Sequence, residues 1–150
     1  MNVKGEHTFP APRATTFALL TDPEVLKAVL PGCEEFTEVG EGAYRVVLTV
    51  NLIAFAAKVT GDVEFSDLTP PESYRVRVTG SGSLGSLDIG LLMRLTEAAG
   101  RTVLAYDVGI EATGALGAMG PVILQPAASM ILGQVMGALE KEIEKRAPAG

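Results

Sequence analysis

The stretch GALGAMGPVILQPAASMILGQVMGALEKEIEKR, residues Gly114–Arg146, decides how the rest of the chain folds. No charged residue occurs from Ala112 through Leu139; then Glu140, Lys141, Glu142, Glu144, Lys145 and Arg146 crowd together. Apolar residues recur at Leu116, Met119, Ile123, Ala127, Met130, Ile131, Val135 and Leu139, close to the 3.6-residue helical period. The spacing predicts one long helix whose first two-thirds lies against an apolar surface. Pro126 stands in mid-helix, where it removes a backbone hydrogen bond and predicts a kink; Pro121 is an alternative start, leaving 114–120 as a loose lead-in. The 28 uncharged residues from Ala112 to Leu139 exceed the roughly 20 that cross a bilayer. Five glycines (114, 117, 120, 133 and 137), two prolines and many alanines make the stretch only weakly hydrophobic for its length. A helix buried lengthwise within its own domain is therefore expected.

What it covers is written upstream. Asn2–Phe9 alternates, with Val3, Gly5, His7 and Phe9 on one face, as a half-buried strand does. Two short helices follow, Ala14–Leu20 and one opened by Asp22-Pro23, with the aspartate as N-cap and the proline at the first helical position. From Cys33 to Ala112 six strands are expected, separated by Gly40-Glu41-Gly42, by Pro70-Pro71 and by other short turns. Their inward rows include Tyr44, Val46 and Leu48, then Val59, Val63 and Phe65, and Leu104, Tyr106, Val108 and Ile110. The order β-α-α-β6-α reads as an α+β fold, a curved seven-stranded antiparallel sheet wrapped around a long C-terminal helix. Residues 1–150 form a single domain by length.

Composition narrows the partners. A net charge of −6 and a pI near 4.8 argue against nucleic acid, whose backbone demands clustered lysine and arginine. One cysteine, Cys33, allows no intramolecular disulfide and fits a reducing compartment. The opening MNVKGEHTF lacks a secretory pattern, so a cytoplasmic protein is expected, with transient contact at the inner membrane face.

Asp22-Pro23-Glu24-x-Leu26-x4-Pro31-Gly32-Cys33-Glu34 resembles the signature of the CoxG family, named for an accessory component of carbon monoxide dehydrogenase. Gly61-Asp62-Val63 and Leu68-x-Pro70-Pro71-x-x-Tyr74 are similar to its strand and turn landmarks. The resemblance runs from Met1 to Arg146 and implies the helix-grip fold of the START and Bet v 1-like (SRPBCC) superfamily. It also implies an accessory role beside a molybdenum-containing CO dehydrogenase-type oxidoreductase, with a quinone- or lipid-like ligand as cargo. Where family members often carry Gly-Pro, this chain has Leu52-Ile53-Ala54-Phe55.

In an up-and-down meander alternate turns share one end. Gly40–Gly42, Leu68–Ser73 and Glu97–Arg101 make a charged end. The other end gathers the hairpin around Ile53 and Phe55, the loop carrying Leu84 and Leu87, and the helix approach with Leu116 and Met119. That end is nearly uncharged and glycine-rich, the expected mouth of a chamber under the helix, with its lid loosened at Pro121 and Pro126. Sheet residues expected to line the chamber are Val50, Leu52, Val59, Val63, Val76 and Val78, then Met93, Leu95, Tyr106 and Val108, with His7 at the first strand. Met119, Ile123, Met130 and Ile131 are expected to complete it from the helix. Inward apolar residues are equally what a close-packed core requires.

Catalytic patterns are sparse. His7 has no evident carboxylate or cysteine companion, so neither a zinc site nor an acid–base pair is expected around it. Cys33 reads as a small, partly buried residue, and Tyr106 as a polar handle inside the fold. Gly80-Ser81-Gly82-Ser83-Leu84-Gly85 matches G-x-G-x-x-G, but a dinucleotide site needs a helix after it and a parallel sheet. Three functions follow: a carrier of a small apolar molecule, a maturation or membrane-recruitment factor without cargo, and an enzyme of the cyclase or aromatase type.

Overall fold

The computed structural model describes residues 1–52 and 55–146. Its elements are β1 (Asn2–Phe9), α1 (Arg13–Leu20), α2 (Pro23–Val29), β2 (Cys33–Gly40), β3 (Ala43–Leu52), β4 (Phe55–Thr69), β5 (Ser73–Gly82), β6 (Gly85–Ala98), β7 (Arg101–Ala112), α3 (Gly114–Met119) and α4 (Pro121–Arg146). The strands form one antiparallel sheet in the order β1-β7-β6-β5-β4-β3-β2. Consecutive strands pair throughout, and only β1 crosses over, to flank the last strand. This is the α+β helix-grip arrangement expected from the sequence.

Local chemistry places the short helices. The Asp22 carboxylate accepts from the Glu24 backbone N–H at 2.9 Å, capping α2 with Pro23 in its first turn. The hydroxyls of Thr16 and Thr102, both fully buried, each donate to the Ala11 carbonyl, at 3.3 and 2.7 Å. Those two bonds seat α1 against the sheet.

The G-x-G-x-x-G stretch is the β5–β6 hairpin. Gly82 pairs with Gly85 in antiparallel register and β6 follows, so the helix and parallel sheet that a dinucleotide site needs are not what this stretch forms.

The long terminal helix is two helices. Gly120 adopts φ +72° between them, a conformation that favours glycine, and Pro121 restarts the helix with φ already suited to its first turn. The alternative start at Pro121 is the one realised. α4 is also less enclosed than its uncharged sequence suggests. Its C-terminal half buries Met136, Leu139 and Ile143, whereas its N-terminal half buries only Ala127. An 18-residue window has a mean hydropathy of 1.5, yet only 11% of it is buried; among the described residues this is the one helix long and apolar enough to cross a membrane.

Candidate functional site

Side chains on the concave face of the sheet fall into two regions. At the charged end the face is sealed. Tyr74, Leu95, Leu104 and Phe9 are buried there against Phe17, Leu20 and Val25 of α1 and α2 and against Leu139 and Ile143 of α4. A run of aromatic rings crosses this end: Phe36–Tyr44 at 5.0 Å between centroids, Tyr44–Phe65 at 6.0 Å, Phe65–Tyr74 at 5.9 Å and Tyr74–Phe17 at 5.4 Å. Burial pushes the Tyr74 phenol pKa well above its ordinary range.

At the uncharged end the same face stays partly open. Leu48, Val59, Val78, Ile89 and Leu91 point inward along the strand alternation but are only half-buried. The helix wall behaves alike, with Leu124, Ala128, Ile131 and Leu132 half-buried. At this end, then, both the sheet and α4 keep apolar side chains partly in contact with solvent. Two side-chain hydrogen bonds tie α4 to edge strand β1. Gln125 Nε2 donates to the Asn2 carbonyl at 3.1 Å, and His7 Nε2 meets Glu140 Oε1 at 2.8 Å.

At the rim, α3 is fastened to the β5–β6 hairpin. Leu116 N–H donates to Leu84 O at 2.8 Å, Thr113 N–H to Ser86 O at 3.0 Å, and the Ser86 and Thr113 hydroxyls bond each other. Gly85 and Gly114 touch backbone to backbone, both with positive φ. The segment leading into α4 is thus tied down through α3.

The structure brings Val59, Val63, Val76, Val78, Met93, Leu95, Tyr106 and Val108 together on the inner face. Val63, Val76, Met93, Leu95 and Val108 are buried, while Val59, Val78 and Tyr106 retain exposure. Leu116 is buried, and Leu84, Leu87, Met119 and Ile131 are half-buried. Two expectations are corrected. Ile123 and Met130 are 48% and 53% exposed and share the outer side of α4 with Val122, 86% exposed. The charged last turns set the helix phase: Lys141 faces solvent, and Gln134, Met130 and Ile123 lie 7, 11 and 18 residues before it on the same stripe. Ile53, and the side chains of Val50, Leu52 and Phe55, lie outside the described residues.

His7 has the carboxylate companion that the sequence did not reveal. Glu140 is 133 positions away, and only the docking of α4 on β1 joins them. Cys33 is half-buried and donates to Glu35 O at 3.4 Å; burial pushes its thiol pKa up, which disfavours the nucleophilic thiolate. Among the described residues no group of three or more histidine, cysteine or acidic side chains could hold a metal ion. Three surface depressions of about 440, 430 and 260 Å3 lie on the outer, convex face, floored around Leu92, Gly90 and Gly109 and rimmed by paired charges such as Arg77 and Asp88.

The family model described as the carbon monoxide dehydrogenase subunit CoxG matches residues 5–144. Among curated proteins no sequence matches significantly. A conserved protein from Geobacillus kaustophilus has a similar crystal structure, with a TM-score of 0.92 at 26% identity over 97% of this chain and 96% of that one. A START superfamily protein from Mycobacterium smegmatis gives 0.72 at 14% identity over 96% and 97%. The Zhui aromatase/cyclase from Streptomyces sp. R1128 gives 0.70 at 21% over 99% and 96%. The last two likenesses are of fold alone.

Proposed function

Because the chain belongs to the CoxG family of carbon monoxide dehydrogenase subunits, we propose that it is a non-catalytic accessory protein carrying a small, mostly apolar molecule between its sheet and α4. The observation that carries this is the burial gradient. Val59, Val78, Ile89 and Leu91 of the sheet and Leu124, Ala128 and Ile131 of α4 stay half-buried, whereas the charged end of the same face is sealed. Apolar walls left wet cost free energy, and an apolar ligand that displaces the water recovers it at about 25 cal/mol per Å2. The cargo is quinone- or lipid-like, and the enzyme served is a molybdenum CO dehydrogenase-type oxidoreductase.

The outer stripe of α4 supports a place for loading. Val122, Ile123 and Met130 form an exposed, uncharged surface beside the open end, suited to lie on a bilayer. The protein then works at the inner membrane face, taking its ligand from the lipid phase. A cyclase-type reaction has less support, since the only imidazole is already engaged by Glu140.

The test is organic extraction and native mass spectrometry of the purified protein. A bound quinone or lipid is expected, and it is lost from a folded Ile131→Trp variant that fills the space. Solvent-only extracts together with a close-packed interior in a crystal structure would sink the proposal.

A further inference from the structure

Three stretches of the chain carry no charged residue: 46–57, 78–87 and 112–139. The fold brings all three to one end. The first spans the β3–β4 hairpin, the second the β5–β6 hairpin, and the third runs from the end of β7 through α3 into α4. Hydrogen bonds from the Thr113 and Leu116 N–H groups to the carbonyls of Ser86 and Leu84 lock the second stretch to the third. Ser83 at the hairpin tip, Ala115 and Ala118 on α3, and Val122 and Ile123 on α4 are exposed there. The cations that bound these stretches are held by the protein's own carboxylates: Arg45 by Asp62 at 3.6 Å, Lys58 by Glu34 at 3.2 Å and Arg77 by Asp88 at 2.9 Å. We propose that this whole end, rather than the α4 stripe alone, seats on a bilayer, and that it does so by apolar insertion between loosely packed neutral lipids, without recognition of lipid phosphate charge.

Helices that lie in a membrane interface commonly present lysine and arginine on their polar side, and anionic lipid then adds affinity. Up to Leu139 the exposed polar positions of α4 are instead Ser129, Gly133 and Gln134, all uncharged. A net charge of −6 on the whole chain opposes an anionic surface besides. The driving force left is apolar. The 18-residue window of α4 has a mean hydropathy of 1.5 with 11% of it buried, and Val122 is 86% exposed. Among the exposed residues named above, alanine and serine are small, so insertion falls to Val122 and Ile123, with Met130 behind them. A few aliphatic side chains enter a bilayer best where headgroups already stand apart, as they do on a strongly curved surface. A second copy of the chain is a poorer occupant. Stable protein interfaces draw on aromatic and arginine anchors with matched hydrogen bonds, none of which the exposed residues at this end supply. A bilayer asks only for apolar area.

This inference rests on the membrane contact proposed above and names its lipid and its footprint, so the test varies lipid charge, curvature and salt separately. Wild type and Ala118→Lys are floated with dioleoylphosphatidylcholine vesicles, sonicated or extruded, with and without about 30% dioleoylphosphatidylglycerol, at about 0.05 and 0.5 M NaCl. Circular dichroism checks that the variant folds. Wild type is expected to prefer sonicated over extruded neutral vesicles, to change less than about twofold with salt, and to gain nothing from the anionic lipid. Ala118→Lys places one cation on α3 and is expected to bind the anionic vesicles about fivefold better than wild type, a gain that high salt removes. Wild-type binding that requires phosphatidylglycerol and falls in high salt overturns this inference and leaves the membrane contact standing. An Ala118→Lys variant that matches wild type on anionic vesicles shows that α3 does not meet the bilayer, and overturns the seating by this end. Failure of wild type to float with any vesicle overturns the membrane contact, and this inference with it; a dimer in sedimentation velocity that Ala118→Lys dissociates would then assign the end to a second copy.

Discussion

The imidazole of His7 on edge strand β1 and the carboxylate of Glu140 on α4 meet at 2.8 Å. With Gln125 on the Asn2 carbonyl, the pair holds the helix along the sheet edge at two points. The two side chains are 28% and 39% exposed, so the contact is only partly screened by water. A double-mutant cycle with His7→Ala and Glu140→Ala is expected to give a coupling of about 0.5–1.5 kcal/mol in urea unfolding. Additive single effects would show that the two groups do not interact.

The facing of α4 gives a sharper contrast. Ile143 is fully buried, and Ile143→Ala should cost about 2–5 kcal/mol through lost burial and a residual cavity. Met130→Ala removes an exposed side chain and should change stability by about 0.5 kcal/mol or less. Chemical denaturation of both variants measures the difference; comparable losses would mean that the helix is rotated about its axis.

The proposed membrane docking rests on the same facing. Val122→Glu combined with Met130→Glu places charge on the outer stripe without touching the inner wall. Sedimentation with liposomes is expected to recover wild type and leave most of the double variant in the supernatant. Equal recovery of both would assign the contact to another surface.

Glycines on the outer face and at the rim should respond with opposite signs. Gly90 has nothing within 4 Å of an added Cβ and an ordinary strand conformation, so Gly90→Ala should stabilise by about 0.5–1 kcal/mol. Gly85 has φ +125° and a Cβ added there would collide with the Thr113 carbonyl, so Gly85→Ala should destabilise and loosen α3. Thermal melts read the sign at each site.

Acid sensitivity should change in a defined direction at the Arg77–Asp88 pair. A side-chain hydrogen bond from Arg77, reinforced by its charge, holds the Asp88 carboxyl below its ordinary range against an opposing effect of desolvation. A carboxyl lowered in the folded state stabilises fully above its unfolded pKa, and that contribution disappears as pH falls through the lowered one. Arg77→Met should therefore have a lower Tm than wild type at neutral pH, by a small margin because the pair is exposed, and the gap should close in acid. A gap that widens in acid would contradict the assignment.

The meander was legible because antiparallel strands with one wet face alternate in polarity. Asn2–Phe9 was legible from that alternation, and the cap at Asp22-Pro23 from its two residue types. The inner row Val63, Val76, Met93, Leu95 and Val108 was legible for the same reason. The phase of α4 was misread at Ile123 and Met130, because a stretch with no charge offers apolar residues on every side. The phase is carried instead by the charged C-terminal turns, where Lys141 shares one stripe with Met130 and Ile123.

The sequence by itself thus determined the element order, the family, and the division into a charged and an uncharged end. Those features are written in local periodicity and in motifs whose residues are near neighbours. Tertiary structure decided which face of α4 turns inward, that Glu140 reaches His7, that five aromatic rings close the sealed end, and that the Tyr106 ring lies over Gly5. Each of these joins residues distant in the chain. Such contacts depend on how the helix docks against the sheet edge, which the local pattern does not encode.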